Sequence, residues 1–192
     1  MFQKISIILY SRFIGLEFLI DSIKDMLADN KTRLLIAGDG PYKSILLKYI
    51  ADNELSDSVK LLGHIKRDDN IALIERAQIT VIPYERNSLT EIALPNKLFE
   101  YMALGKPVIY PDLPGFKEVL GVDNAGKYKP DDKDDLHRVI KNMLSNAELR
   151  KSAGEKNRSI LNEITFEKEM SKLLDLYESI FQQKDKRSFT KI

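Results

Sequence analysis

The sequence predicts an α/β fold, with a doubly wound, mostly parallel six-stranded sheet and helices on both faces. Short continuous apolar runs alternate with longer segments whose apolar residues recur at helical spacing. The runs are rich in β-branched residues, which is typical of strands buried on both faces. Because strand, helix and strand follow one another along the chain, neighbouring strands are expected to be parallel with right-handed crossovers.

Six apolar runs are the predicted strands: residues 5–10, 33–37, 59–62, 79–82, 107–110 and 126–129. The clearest helical periodicities cover residues 15–27, 95–104, 131–144, 147–161 and 165–181. If the strand order is 3-2-1-4-5-6, strands one and four flank the crevice in which such folds bind ligands. We therefore predict one Rossmann-like domain over residues 1–181, including a terminal amphipathic helix, and a polar, frayed tail over residues 182–192.

Composition excludes several classes of function. The 192 residues are 43% hydrophobic, which is ample for a single core. Thirty basic and 29 acidic residues leave a formal charge of +1, so no global field favours nucleic acid or an anionic membrane. The chain has no cysteine and two histidines, so disulfides, thiolate chemistry and a metal site are not expected.

The N-terminal apolar run over residues 5–10 is too short for a signal sequence or a membrane span. We therefore expect a soluble, cytoplasmic protein without a transmembrane segment.

The most informative stretch is residues 94–110, LPNKLFEYMALGKPVIY. Pro95 suits a helix start and Gly105 suits a left-handed C-terminal cap. Lys97 lies in the first turn, and the carboxylate of Glu100 follows one turn deeper. Free backbone N–H groups, a cation and a carboxylate are what a phosphorylated ligand with a hydroxylated sugar requires, so we predict such a site here.

Two other polar patterns are interpreted structurally. The glycines of Gly38-Asp39-Gly40 lack the rest of a dinucleotide fingerprint and predict a tight turn. The acidic run over residues 131–135 is interpreted as a favourable helix start, not as a metal site.

Several blocks occur in the order seen in one known family: LLIAGDGP at 34–41, VKLLGHI at 59–65, a strand ending in Pro83, PNKLFEYMALGKPVI at 95–109, PGFKEVL at 114–120 and TFEKEMSKLLDLYESI at 165–180. On these blocks the chain resembles the C-terminal, nucleotide-sugar-binding half of the group 1 glycosyltransferases. These are retaining enzymes with a GT-B fold of two Rossmann-like domains.

The resemblance implies roles for individual residues. Glu100 corresponds to the second glutamate of an E-x7-E pattern, which holds the donor ribose. The backbone amides around Lys97, Leu98 and Phe99 would meet the diphosphate, with Asn96 beside them, and Arg12 after the first strand would neutralise its charge. Nucleotide sugar is then a substrate, and neither a cofactor nor a metal is required.

The sequence also departs from the family. Ile92 stands where the first glutamate of E-x7-E belongs, and Glu91 is one place away, in a loop from which it could reach the donor sugar. The family's lysine after Arg12 is missing, and Lys97 would supply that charge. In the family the N-terminal domain binds the acceptor, and we expect these 192 residues to provide the donor site without that domain.

We therefore predict the donor half of a retaining glycosyltransferase that transfers a hexose from a UDP- or GDP-sugar, with Arg12 and Lys97 stabilising the leaving diphosphate. The isolated chain is expected to have little or no activity. One alternative is a non-catalytic nucleotide-binding subunit that docks an acceptor-binding partner, or forms a homodimer, through the terminal helix. Another is a sugar-nucleotide epimerase-like domain or a binding domain for a different nucleotide.

Overall fold

The computed structural model describes residues 3–8, 15–29 and 31–188, with side chains described from 15 to 29 and from 31 to 181. The strands are β1 Gln3–Ile8, β2 Thr32–Ala37, β3 Val59–Gly63, β4 Ile79–Val81, β5 Val108–Pro111 and β6 Lys127–Tyr128. The helices are α1 Leu16–Ser22, α2 Lys24–Ala28, α3 Lys43–Asp52, α4 Arg67–Arg76, α5 Asn96–Ala103, α6 Pro114–Leu120, α7 Lys133–Ser145, α8 Ala147–Glu163 and α9 Phe166–Ser188.

The strands pair in the order β3-β2-β1-β4-β5-β6, and each described pairing is parallel. The predicted α/β class with a parallel sheet is thus confirmed, and strand order reverses between β1 and β4. Five strands form the regular sheet, while β6 contains two residues and, among the described strands, pairs with β5 alone. The carboxyl ends of β1 and β4 therefore open on the same crevice.

Helices pack on both faces of the sheet because successive strand side chains point to opposite sides. Val81 and Ile109 belong to one buried cluster with residues of α1, α2, α3 and α7. Ile82 and Val108 belong to a second cluster with residues of α4, α5 and α6. The helix that carries the predicted site, α5, therefore packs next to α4 on one face.

Two helices differ from the prediction. The expected helix over residues 15–27 is divided into α1 and α2, because Ile23 takes a φ of −122° between them while its side chain is fully buried. The terminal helix α9 continues to Ser188 instead of ending near residue 181, so part of the predicted polar tail is helical.

Within the part of the chain that the structure describes, no helix has the length and apolar character needed to span a bilayer.

Candidate functional site

Backbone chemistry sets both ends of α5. Pro95 is the N-cap in an extended conformation, with φ −75° and ψ 139°, and its missing N–H is no loss at this position. At the other end Gly105 has φ +63°, as the sequence predicted. Gly105 N–H donates to the Met102 carbonyl and Lys106 N–H donates to the Tyr101 carbonyl, both at 2.9 Å. These two bonds form a Schellman cap, which closes the helix.

One side of α5 is anchored in the core. Leu98, Tyr101 and Met102 are buried against the second cluster. Just beyond the helix, the carbonyl of Lys106 accepts a 2.8 Å hydrogen bond from Nδ2 of the buried Asn157 in α8. The opposite side of α5 is left for polar groups.

The two main predicted ligand-binding residues, Lys97 and Glu100, lie together on that side. Lys97 Nζ donates to both carboxylate oxygens of Glu100, at 2.9 Å to Oε2 and 3.1 Å to Oε1. The Lys97 side chain is 19% exposed and that of Glu100 is 44% exposed. The structure therefore brings the predicted cation and the predicted ribose ligand into one ion pair.

This pair lines a cleft of about 640 Å³ between α4 and α5. The apolar part of its wall comes from Ile65, Ile71, Ile74, Ala103 and Leu104. His64, which follows β3, Lys66, the N-cap of α4, and Arg67, its first residue, contribute basic side chains. Such a cleft offers an apolar surface to a flat ring and polar groups to the charged part of the same ligand.

Asn70 also lines the cleft and was missed by the sequence analysis. Its Oδ1 is shielded from solvent and accepts no hydrogen bond from the residues that the structure describes. A buried carbonyl oxygen without a donor is costly, so it is a candidate ligand contact. The available sequence signal was its spacing, because Asn70 lies four residues before the buried Ile74 on the same helix face.

The other residues that were predicted to bind the ligand are placed differently. Arg12 lies outside the described residues. Glu91 pairs with Arg86, at 3.8 Å between Oε1 and Nε. Asn96 is exposed at the first position of α5, whereas the Leu98 side chain is fully buried and its N–H donates to the Pro95 carbonyl. The Leu98 amide is thus already paired within the chain.

A second close contact between separate segments involves the loop that follows β4. Gly15, the N-cap of α1 with φ +70°, lies so close to this loop that a Cβ there would stand 2.1 Å from the Pro83 carbonyl oxygen. It would also stand 3.3 Å from Oε1 of Glu85. Partial burial, then the nearby carboxylates of Asp131 and Glu17, raise the pKa of the Glu85 carboxyl. Sequence analysis did not identify Glu85.

The two structural interpretations are supported by contacts. Asp132 caps α7, accepting a 3.0 Å hydrogen bond from the Asp135 N–H. In the glycine-containing turn, Asp39 pairs with Lys43 at 3.0 Å. Among the side chains described, those of residues 15–29 and 31–181, no group of three or more His, Cys, Asp or Glu is arranged to hold a metal ion.

Comparisons with known proteins agree with this fold. An uncharacterized glycosyltransferase of Methanocaldococcus jannaschii is 28% identical over 168 residues, covering 86% of this chain and 45% of the relative. The O-antigen chain mannosyltransferase of Salmonella typhimurium is 31% identical over 121 residues, covering 62% of this chain and 32% of the relative.

Among solved structures, HepE of Anabaena, crystallised with UDP and glucose, superposes with a TM-score of 0.74 at 16% identity, covering 91% of this chain and 48% of that one. A glycosyltransferase from Rickettsia africae superposes with a TM-score of 0.75 at 19% identity, covering 93% and 48%. At these identities the superpositions establish the fold alone.

The chain spans less than half the length of the curated relatives described above. The sequence profile of the family described as glycosyl transferases group 1 matches residues 7–160, which is most of the chain. The chain therefore belongs to the group 1 glycosyltransferases.

Proposed function

We propose that this chain is the nucleotide-sugar-binding half of a retaining glycosyltransferase that transfers a hexose from a UDP- or GDP-sugar. The observation that carries the proposal is the Lys97–Glu100 pair on the wall of the α4–α5 cleft, beside the start of α5. The UDP and glucose in the HepE structure, which shares this fold, support a nucleotide-sugar donor.

Each part of the nucleotide sugar would bind a different surface of the cleft. The nucleoside base would lie against the apolar wall near Asn70, and the ribose hydroxyls would bind Glu100. The diphosphate would lie at the α5 N-terminus, where the dipole favours an anion, with Lys97 and Arg12 as the cations and Asn96 and the Leu98 amide nearby. In this arrangement Glu91 would have to leave Arg86 to reach the donor sugar.

Catalysis would consist of leaving-group stabilisation. As the bond between the sugar and the diphosphate breaks, negative charge grows on the diphosphate oxygens. Lys97, Arg12 and the helix N-terminus would stabilise that charge, and neither a metal ion nor another cofactor would be needed. UDP affinity should therefore be the same in EDTA as in magnesium, a comparison that isothermal titration calorimetry can make.

Transfer itself would need an acceptor site. The chain's relatives are more than twice as long as the aligned part, so we propose that an acceptor-binding domain or subunit completes the cleft. This chain alone should then bind nucleotide weakly and transfer little or no sugar.

A second candidate function is that of a non-catalytic subunit that docks a partner. The observation in its favour is the apolar stripe of α9, whose side chains are exposed in this chain: Phe166, Met170, Leu173, Leu174, Tyr177, Ile180 and Phe181. An acceptor-binding protein or a second copy of the chain could cover this stripe.

A cytoplasmic location stays a prediction.

The deciding experiment is calorimetric titration with UDP, GDP, ADP and NAD. We expect UDP or GDP to bind more tightly than ADP and NAD. Replacing Glu100 by Gln should weaken that binding by about tenfold, since hydrogen bonds to a charged group contribute about 1.5–3 kcal/mol. The exposed Glu148→Gln variant is the matched control. Binding of NAD without UDP or GDP would contradict the proposal and favour the epimerase-like alternative.

A further inference from the structure

Lys97 is placed to do more than attract phosphate. We infer that it is a positioning residue, which holds the Glu100 carboxylate in the orientation that receives the ribose hydroxyls. This inference rests on the nucleotide-sugar site proposed above and assigns a distinct task within it.

The first support is the geometry of the ion pair. Lys97 Nζ lies 2.9 Å from one carboxylate oxygen of Glu100 and 3.1 Å from the other, so a single ammonium group fixes the plane of the carboxylate. A carboxylate has about four lone-pair positions. With two of these used by Lys97, the remaining two match the two hydroxyls of a ribose.

The second support is the distribution of burial within the pair. Three other described ion pairs join residues three apart in the sequence: Lys129–Asp132 in the connection from β6 to α7, Arg138–Asp135 within α7 and Lys172–Glu169 within α9. In each of them the basic side chain is the more exposed partner, at 75%, 67% and 70%. In the Lys97–Glu100 pair the order is reversed, with the lysine 19% exposed and the glutamate 44% exposed. The lysine therefore lies beneath a carboxylate that faces the cleft.

The third support is the position of Lys97 in its helix. It is the second residue of α5, where the helix dipole disfavours a cation by about 0.3–1 kcal/mol. A lysine there gives no advantage to the helix itself. Its pairing with Glu100 offsets this cost and orders the carboxylate before a ligand arrives.

The third N–H of the ammonium remains available, since two are directed at Glu100. It can meet a diphosphate oxygen, so one side chain would link the ribose and diphosphate parts of the site. The two tasks of Lys97 can be separated by removing the ribose hydroxyls from the ligand.

The experiment compares the Kd of UDP and 2′,3′-dideoxy-UDP for the wild-type chain and for Lys97→Met, with the GDP pair used as well. Methionine keeps the aliphatic stem but cannot hold the carboxylate. We expect Lys97→Met to weaken UDP binding about tenfold and dideoxy-UDP binding by at most about threefold. Lys97→Arg should restore most of the loss, because a guanidinium can also donate two parallel bonds.

Equal losses for the two ligands would overturn the positioning role and leave Lys97 as a phosphate contact. No loss for either would make the pair an ordinary surface contact. The exposed Lys172→Met variant, which breaks the Lys172–Glu169 pair, is the matched control.

If Lys97→Met does not fold, Lys97→Ala serves instead, because it also removes the ammonium group and should also weaken UDP binding more than dideoxy-UDP binding. The failure of the proposed function looks different from all of these results. In that case the wild-type chain would bind neither UDP nor GDP, and the positioning role would fall with it.

Discussion

Gly154 in α8 lies directly against the carbonyl oxygen of Gly105, so close that a Cβ on Gly154 would stand 2.1 Å from that oxygen. One turn further along α8, Asn157 donates to the neighbouring Lys106 carbonyl at 2.8 Å. These contacts fix the C-terminal end of α5, while its N-terminal end carries the Lys97–Glu100 pair. The position of the site therefore depends on a close backbone approach at the far end of the helix.

We expect Gly154→Ala to destabilise the chain. The added methyl group would force α8 away from Gly105, and overpacking of this kind costs about 1–3 kcal/mol. Alanine also gains about 1 kcal/mol of helix propensity over glycine, so only the net loss would be observed. Urea unfolding measures it, with the exposed neighbour Ser152→Ala as control. A midpoint equal to or above that of the wild type would show that the contact is not tight.

Asn70→Leu should separate stability from binding. Leucine removes the buried oxygen that lacks a donor, which costs about 1–3 kcal/mol in the wild type, so the unfolding midpoint should rise. If Asn70 contacts the nucleoside, UDP or GDP affinity should fall several-fold in the same variant. Thermal unfolding and calorimetry check the two effects. The exposed Asn142→Leu in α7 should change neither nucleotide affinity nor the cleft.

An Asn70→Leu variant that is both less stable and unchanged in nucleotide affinity would contradict this assignment. It would mean that the amide is satisfied within the folded chain and takes no part in the cleft.

Glu85 should give a pH-dependent contribution to stability. Its carboxyl has a pKa raised above its ordinary value of 4.5, first by partial burial and then by repulsion from Asp131 and Glu17. The folded state therefore holds this proton more tightly than the unfolded state. Its contribution is fully present below about pH 4.5 and is lost as the pH rises through the folded pKa.

Glu85→Gln removes that loss, because glutamine does not ionise. The variant should therefore be more stable than the wild type at pH 7, and the difference should shrink or vanish at pH 4. The gain should be small, since the Glu85 side chain is only partly shielded from solvent. Urea unfolding at the two pH values tests this, with exposed Glu148→Gln as control. A larger advantage at pH 4 than at pH 7 would reverse the assigned sign.

The exposed stripe of α9 predicts association. Leu173 and Tyr177 are 42% and 52% exposed, so replacing both by lysine should change the free energy of unfolding by only about 0.5 kcal/mol. This variant should self-associate less than the wild type, whereas Ser171→Lys on the same helix should have less effect. Size-exclusion chromatography with light scattering measures the mass. A wild type that stays monomeric at every concentration would exclude the homodimer and leave a different partner.

Features controlled by local chemistry were predictable. Proline has no N–H and glycine accepts positive φ, so Pro95 and Gly105 marked both ends of α5 to within about one residue. Alternation of apolar runs and helical segments likewise predicted the parallel sheet. The break at Ile23 was not predictable, because the apolar pattern continues through it without interruption.

The functional site could be predicted only in part, because local chemistry determines only some of its contacts. Lys97 and Glu100 are neighbours on one helix, so their spacing in the sequence was enough to place them together. Asn70 lies near them because α4 packs beside α5. Glu85, in the loop after β4, approaches Gly15 at the start of α1. Both contacts depend on how separate elements pack on the sheet.

The sequence by itself determined the α/β class, the limits of α5 to within about one residue and the adjacency of Lys97 and Glu100, because each depends on local preferences and on spacing along the chain. The tertiary structure decided that Lys97 is the inner member of that pair, that Asn70 lines the same cleft, and that the α9 stripe is uncovered within this chain. Burial and cleft shape depend on contacts between residues distant in the sequence, and local periodicity carries no information about those contacts.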